Sequence, residues 1–302
     1  MGGRKYIFVG GVHRSGTSLV ASCLAGHSMV GGFTNTGTQQ DEGQFLQNVY
    51  PNVNQLGGAG MFSFHGAAHM TESADWLTQD NIKNLRDSWE RMWPGDKSCV
   101  VEKTPQNLIM ARAIQEVYSD AMFVFVLRHP IVNALAVRKW SHSSMTSLAI
   151  HWLRCHNWLV EDLPKIKNYI IVNYEDFVSR PQEICDIIWE RSGFASEKVN
   201  NRVTTSSNAS YESKWKEIQS RSRLKLDGQE LDQNTLPIDY RVRLAYSRRV
   251  IKYLVRPFWG ADVELTFGHR EYETLRIEFA KEFERFGYKF DDLLGFSSSQ
   301  IL

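Results

Sequence analysis

The sequence predicts an α/β protein in which helices cover both faces of a central parallel sheet of four to five strands. Short apolar runs rich in strand-forming residues alternate with segments of helical periodicity, as in parallel sheets buried on both faces. The runs lie at residues 6–9, 99–101, 122–127 and 169–173. A chain of 302 residues can form one large domain of this kind, so we expect a single domain over 1–302.

The first strand, Tyr6–Val9, leads through a glycine-rich turn directly into a helix. Gly10 and Gly11 end the strand, and apolar residues recur at helical spacing from Ser15 onward. A helix that starts after such a turn presents free N–H groups and the positive end of its dipole. This unit therefore predicts an anion-binding turn.

The turn nearly matches the nucleotide-binding pattern G-x-x-x-x-G-K-[ST]. Gly11 and Gly16 have the required spacing, but Thr17 stands where the pattern has its lysine, and the nearby cation is Arg14. An ATP-dependent enzyme without that lysine lacks a contact to the β- and γ-phosphates. A different phosphorylated donor is therefore expected, and a glycine turn that binds no ligand is the alternative.

The segment His13–Ser18, which reads HRSGTS, resembles the 5′-phosphosulfate loop of sulfotransferases. These enzymes take a sulfuryl group from 3′-phosphoadenosine 5′-phosphosulfate (PAPS). Together with the DEGQ stretch at 41–44, the loop is similar to that of the bacterial branch related to tyrosylprotein sulfotransferases. The resemblance covers about the first two thirds of the chain and implies a three-layer fold like that of P-loop kinases. It implies donor contacts from Arg14, Ser15, Gly16, Thr17 and Ser18.

A long polar loop at residues 30–60 contains the carboxylate pair Asp41 and Glu42. A hydroxyl acceptor that attacks sulfur must lose its proton, so a general base must lie within hydrogen-bond reach of it. The tyrosylprotein branch has a glutamate in this region, which makes Glu42 the candidate base and Asp41 the second candidate. His65 is the reserve candidate, because cytosolic sulfotransferases use a histidine. The alternatives are that Asp41 and Glu42 are solvated loop acids or a helix N-terminal pair, and that the histidine is incidental.

Lys103 follows the second apolar run within the sequence EKTP. In open α/β sheets ligands bind outside the carboxyl ends of the strands, which is where this lysine is predicted to lie. The sequence matches the sulfotransferase pattern (D/E)-K-(S/T)-P, whose lysine helps to neutralise the bridging and leaving oxygens. A solvated surface lysine is the alternative.

Arg128 follows the apolar run Met122–Leu127, where a P-loop NTPase commonly has an acid that holds Mg²⁺. Sulfotransferases place an arginine there for the 3′-phosphate of PAPS, and a guanidinium group suits a bidentate phosphate contact. The serine that usually follows eight residues later is Ala136 in this chain. Asn133, or else Arg138 or Lys139, is the expected substitute.

The second half of the chain is expected to brace and cover the site. Tyr174–Asp176 resembles the recurring Y-E-D of the family and is expected to brace the site rather than react. Residues 196–235 are polar and predict a lid or long loop, in which Asn208, Tyr211 and Lys214 are candidate donor contacts and simple solvated polarity is the alternative. A short helix is expected near Tyr211–Ile218. Two further helices are expected within 236–302, the first marked by Leu244, Ile251 and Leu254 and the second by Tyr272, Leu275, Phe279 and Phe283.

Composition narrows the possible partners and compartment. The net charge of +1 gives no electrostatic support for binding nucleic acid or anionic membranes. No apolar stretch approaches the ~20 residues of a membrane span. The four cysteines are scattered in apolar segments without zinc-site spacing, so we expect buried thiols and a cytoplasmic protein.

These observations together predict a PAPS-dependent sulfotransferase that acts on a hydroxyl acceptor and releases adenosine 3′,5′-bisphosphate without a metal. Two rival hypotheses are an ATP-dependent P-loop kinase and a degenerate fold that binds nucleotide without turnover. The missing lysine and the missing acid after the 122–127 strand disfavour the kinase. The residue at position 136 and the several candidate bases keep the degenerate fold open.

Overall fold

The computed structural model describes residues 3–141, 143–201, 203–204, 208–220, 225–226, 229–230, 272 and 274–296. A five-stranded parallel sheet forms the centre of this part of the chain. Its strands are β1 (Lys5–Gly10), β2 (Val30–Gly32), β3 (Cys99–Lys103), β4 (Met122–Leu127) and β5 (Tyr169–Asn173), in the spatial order β2-β3-β1-β4-β5. The predicted α/β fold is confirmed.

Helices connect the strands and cover the sheet. They are α1 (Thr17–Leu24), α2 (Gln79–Glu90), α3 (Asn107–Val117), α4 (Pro130–Val137), α5 (Met145–Asp162), α6 (Tyr174–Ser179), α7 (Pro181–Arg191) and α8 (Ala209–Ser220). Residues 274–284 are also helical. Two further strands of two residues each, β6 (Lys225–Leu226) and β7 (Gln229–Glu230), pair antiparallel. None of the helices in the described ranges is long and apolar enough to cross a membrane.

Two apolar clusters, one on each face of the sheet, establish the three layers. Side chains alternate along a strand, so β1 sends Ile7 and Val9 into one cluster and Phe8 into the other. The first cluster includes side chains of α1 and α7, and the second includes side chains of α3 and α5. All four cysteines are buried free thiols, as predicted.

The strand order brings the predicted functional segments to one edge of the sheet. β1 is central, with Val9 beside Lys103 of β3 and Gly10 beside Phe125 of β4. The loop after β1, Lys103 and the residue after β4 therefore emerge side by side, because all these strands point the same way. Gly10 also permits close packing here, since a Cβ atom on it would collide with the backbone of α3.

The segments predicted to finish the chain are described only in part. The short helix predicted near Tyr211–Ile218 is found as α8, and the rest of the 196–235 lid beyond residue 220 is described only at β6 and β7. The first of the two C-terminal helices, predicted from Leu244, Ile251 and Leu254, lies outside the described residues. The second is found at 274–284, where Leu275 and Phe283 are buried.

Candidate functional site

A cleft with a volume of about 450 Å³ opens at the carboxyl edge of the sheet. Its wall is built from the β1–α1 loop, the polar loop after β2, the ends of β3 and β4, and the start of α8. The lining residues are His13, Arg14, Gly16, Thr17, Ser18, Leu19, Gln39, Gln40, Glu42, Phe45, Val53, Asn54, Ala59, Pro105, Arg128, Trp140, Tyr174, Ser210 and Tyr211. The lining therefore contains most of the predicted site residues, but not Ser15, Lys103, Asn133 or Lys214.

The β1–α1 loop shapes one side of the cleft. Gly16 precedes α1 with a φ of 107°, and a Cβ atom there would collide with the ring of Tyr174. Only glycine adopts that conformation without strain, so the turn depends on it. No side chain of the described residues caps the start of α1, which leaves its first N–H groups available to a ligand. Ser15 lies fully buried beneath the loop, and its hydroxyl has no hydrogen-bond partner among the described residues.

Arg14 is the exposed cation of this loop. Its backbone has a positive φ of 68°, and its guanidinium carbon lies 4.6 Å from the centre of the Trp140 ring. Stacking on the indole directs the side chain along the wall of the cleft, and no carboxylate in the described ranges forms an ion pair with it. His13, the preceding residue, is neutral near pH 7, because burial and the nearby Lys103 charge lower its pKa to about 4.

Lys103 and Glu42, predicted as the cation and the base, form an ion pair. The ammonium nitrogen lies 2.6 Å from Oε1 of Glu42, and the two side chains are only 9% and 7% exposed. β3 ends at Lys103 and the polar loop supplies Glu42, so two segments 61 residues apart meet here. The pair therefore places a cation and a carboxylate that can accept a proton within hydrogen-bond distance of each other.

The carboxylate of Glu102 anchors the loop that carries Glu42. It accepts hydrogen bonds from the Gly43 N–H at 2.9 Å, the Thr104 hydroxyl at 2.6 Å and the Asn107 amide at 2.5 Å. Burial raises the pKa of Glu102, and these three donors oppose that rise. The EKTP pattern includes an acid at this position but does not show which segment that acid contacts. The anchoring role of Glu102 was therefore not predicted.

Asp41 and His65, the other candidate bases, are occupied elsewhere. Asp41 accepts hydrogen bonds from the Thr36 hydroxyl at 2.6 Å and the Thr36 N–H at 2.8 Å, which lower the pKa of its carboxyl. His65 is exposed and accepts a bond from the Ala67 N–H at 3.2 Å. Of the three candidates, Glu42 alone contributes to the lining of the cleft that the described residues form.

Arg128 crosses from the end of β4 to the back of the β1–α1 loop. Its Nη1 donates to the carbonyl of Arg14 at 2.8 Å, and its Nε and Nη2 donate to Oδ1 of Asn208 at 3.1 and 2.5 Å. The guanidinium carbon lies 4.2 Å from the centre of the Tyr174 ring. Arg128 therefore both lines the cleft and fixes the loop that holds Arg14.

Asn133 and Lys139, expected to replace the missing serine, have different positions. Asn133 donates from Nδ2 to the carbonyl of His13 at 2.8 Å, so it braces the loop from behind and is not part of the lining. Lys139 donates to the hydroxyl of Tyr211 at 3.1 Å. Tyr211 lines the cleft, whereas Lys214 is exposed and its Nζ lies 6.0 Å from the Tyr211 ring centre.

Glu175 ties three segments together behind the cleft. One carboxylate oxygen accepts from the His129 N–H at 3.1 Å and from the Asn208 amide at 3.0 Å, and the other accepts from the Tyr288 hydroxyl at 3.4 Å. This matches the expected bracing role of the Y-E-D segment. The contribution of Asn208 and Tyr288 could not be predicted, since each lies over 30 residues from its partner in the chain.

The model of the sulfotransferase family matches residues 6–197. A sulfotransferase from Mycobacterium avium is 10% identical over 76% of this chain and 79% of its own, with a TM-score of 0.46. The sulfotransferase domain of the Synechococcus olefin synthase is 15% identical over 66% and 77%, with a TM-score of 0.43. A sulfotransferase from Alicyclobacillus acidocaldarius is 14% identical over 70% and 91%, with a TM-score of 0.41. A search of the curated proteins found no significant match.

Proposed function

The chain belongs to the sulfotransferase family, and from this premise we propose that it transfers the sulfuryl group of PAPS to a hydroxyl acceptor. The acceptor is a sugar, an alcohol, a phenol or a tyrosyl side chain. The observation that carries the proposal is the Glu42–Lys103 ion pair, 2.6 Å long, whose Glu42 lines the same cleft as the HRSGTS loop while Lys103 lies buried behind it. An in-line sulfuryl transfer requires a group that accepts the proton of the hydroxyl and a fixed cation that stabilises the leaving oxygen. This pair places the two groups side by side.

The charge of the cleft suits an anionic donor. Its lining contains the guanidinium groups of Arg14 and Arg128 and, among the described residues, the single carboxylate of Glu42. The start of α1 adds N–H groups and the positive end of a helix dipole. In this proposal the loop residues Arg14 to Ser18 hold the 5′-phosphosulfate, and Arg128 and Tyr211 hold the 3′-phosphate end.

The reaction then proceeds in one step. Glu42 accepts the proton of the acceptor hydroxyl as the hydroxyl oxygen forms a bond to sulfur. The bond between sulfur and the bridging oxygen breaks, and its electron pair leaves with adenosine 3′,5′-bisphosphate. The Lys103 ammonium group stabilises the charge that develops on that leaving oxygen. Arg14 and Lys103 supply the positive charge that a metal ion provides in ATP-dependent enzymes.

Apart from Glu42, the polar loop after β2 contributes amide and apolar side chains to the lining, namely Gln39, Gln40, Phe45, Val53 and Asn54. These five residues, the acceptor wall, support an acceptor that is uncharged where it enters. A charged acceptor group at this position would lose hydration without gaining a partner of opposite charge. We place the reaction in the cytoplasm, where the buried free cysteines remain reduced.

Donor binding is tested by replacing Arg14 with alanine. Because Arg14 is exposed and belongs to no apolar cluster, its truncation should leave the fold intact. Losing a charge-assisted phosphate contact costs ~1.5–3 kcal/mol, or about ten- to a hundredfold in affinity. The affinity for adenosine 3′,5′-bisphosphate, measured by calorimetry, should fall by that factor.

The matched control is Arg91→Ala, which removes an exposed arginine at the end of α2, outside the cleft lining. Its affinity for the bisphosphate should equal that of the unmodified protein. Equal affinity in the Arg14→Ala protein as well would show that the β1–α1 loop does not hold the donor.

A further inference from the structure

Gln44 is a fully buried polar residue whose side chain joins the candidate base to the acceptor wall. Its Nε2 donates to Oε2 of Glu42 at 2.5 Å, and its Oε1 accepts from the N–H of Val53 at 2.6 Å. An N–H group can only donate, so Oε1 must face Val53 and the NH₂ group must face the carboxylate. The amide orientation is therefore determined by its two partners.

The backbone of Gln44 is held as firmly as its side chain. Its N–H approaches the Thr104 hydroxyl at 3.4 Å, and its carbonyl accepts from the amide of Gln47 at 2.9 Å. The neighbouring Gly43 is held at both ends of its peptide unit. Its N–H donates to the Glu102 carboxylate, and its carbonyl accepts from the Trp89 indole N–H at 3.0 Å. Gln44 thus works from a rigid support.

The two oxygens of Glu42 have different partners. Oε1 is bonded to the Lys103 ammonium group at 2.6 Å, and Oε2 is bonded to Gln44. In the proposed reaction Lys103 contacts the bridging oxygen of the donor, which frees Oε1 to accept the acceptor proton. The bond from Gln44 to Oε2 does not depend on Lys103 and would preserve the orientation of the carboxylate.

We propose that Gln44 is a positioning residue that orients the Glu42 carboxylate and fixes its distance from the acceptor wall at Val53. This inference rests on the proposed role of Glu42 as the general base. Gln44 does not touch the reacting atoms, because it lies fully buried beneath the cleft lining. Its effect is exerted through Glu42.

The test is the substitution Gln44→Glu, which replaces the donor NH₂ by a carboxylate oxygen. Two carboxylates at this distance cannot both ionise freely, so they share a proton and the apparent pKa of the pair rises. A base must be deprotonated to act, so activity is lost as the pH falls through that raised pKa. The acid limb of the kcat profile should move by about one pH unit or more to higher pH, while adenosine 3′,5′-bisphosphate binds as before.

A second variant, Gln44→Met, keeps the volume and removes both hydrogen bonds. Loss of orientation should lower kcat about 10- to 100-fold with little change in donor affinity. The matched control is Gln55→Glu, which adds the same charge to the same loop. Gln55 is exposed and accepts from the Asn52 N–H at 2.9 Å, and it makes no hydrogen bond to Glu42 or Gln44 in the part of the chain that the structure describes. Its acid limb should stay where it is in the unmodified enzyme.

The outcomes separate this inference from the proposed function. An unmodified enzyme that transfers sulfuryl groups, together with a Gln44→Glu limb that does not move, would overturn the role of Gln44 alone. An equal shift in Gln55→Glu would overturn it too. Absence of any transfer from PAPS by the unmodified protein would instead overturn the proposed function. NMR titration of the ¹³C-labelled Glu42 carboxyl tests the contact without measuring activity, and the Glu42→Gln variant assigns its signal. A titration midpoint of this carboxyl that is the same in Gln44→Glu as in the unmodified protein also contradicts the inference.

Discussion

Replacing Glu42 with glutamine should lower kcat by about 10²–10⁴ and leave donor affinity nearly unchanged. Glutamine keeps the size of the side chain and an oxygen that can accept from Lys103, but it cannot take a proton. The loss should be larger for an aliphatic alcohol than for an acidic phenol, because the phenol needs less help to lose its proton. Rates with ³⁵S-labelled PAPS and acceptors of both kinds measure this difference.

Two variants serve as controls for the Glu42 prediction. Asp41→Asn changes the other acid of the pair, which is bonded to Thr36 outside the cleft lining. His65→Ala removes an exposed histidine. Both should retain turnover close to that of the unmodified enzyme. Near-normal turnover in Glu42→Gln with an inactive control would transfer the role of the base to the control position.

The second large effect is expected from Lys103→Met, on both stability and turnover. Lys103 is the ion-pair partner of Glu42, and both side chains are more than nine-tenths buried. Removing one partner leaves the other charge buried and unpaired, which costs about 3–5 kcal/mol of unfolding free energy. Turnover should fall as well, since the leaving oxygen loses its cation. Urea unfolding measures the stability change.

The double variant Glu42→Gln/Lys103→Met distinguishes pairing from packing. With both charges removed, no unpaired charge remains, so most of the lost stability should return while turnover stays low. Stability losses that simply add in the double variant would mean that the two groups do not interact in solution. Recovery of turnover would contradict the assigned roles.

The sheet and its functional edge could be predicted from the sequence because they depend on local patterns. Continuous apolar runs identified β1, β3, β4 and β5, and parallel strands necessarily present their carboxyl ends together. β2 has only three residues, Val30–Gly32, of which two are glycines. It carried no strand signal and forms because β3 offers it an edge.

The supports of the site were harder to predict, because they join residues far apart in the chain. Arg128 meets Asn208 across 80 residues, and Trp140 stacks on Arg14 across the site. No periodicity or spacing records such contacts. Gln44 lies within the DEGQ stretch noted in the sequence, yet its partner Val53 is defined only by the turn of the folded loop. The identity of Glu42 as a buried, paired carboxylate likewise became visible only in the structure.

A thermal-shift experiment with two nucleotides distinguishes a PAPS site from an ATP site at this cleft. Adenosine 3′,5′-bisphosphate with EDTA should raise the melting temperature, because a ligand at about 100 times its Kd adds ~2.7 kcal/mol of stability. ATP with Mg²⁺ at the same concentration should produce a much smaller shift. Stabilisation by ATP and Mg²⁺ alone would point to a kinase. No shift with either nucleotide would contradict a PAPS site at this cleft.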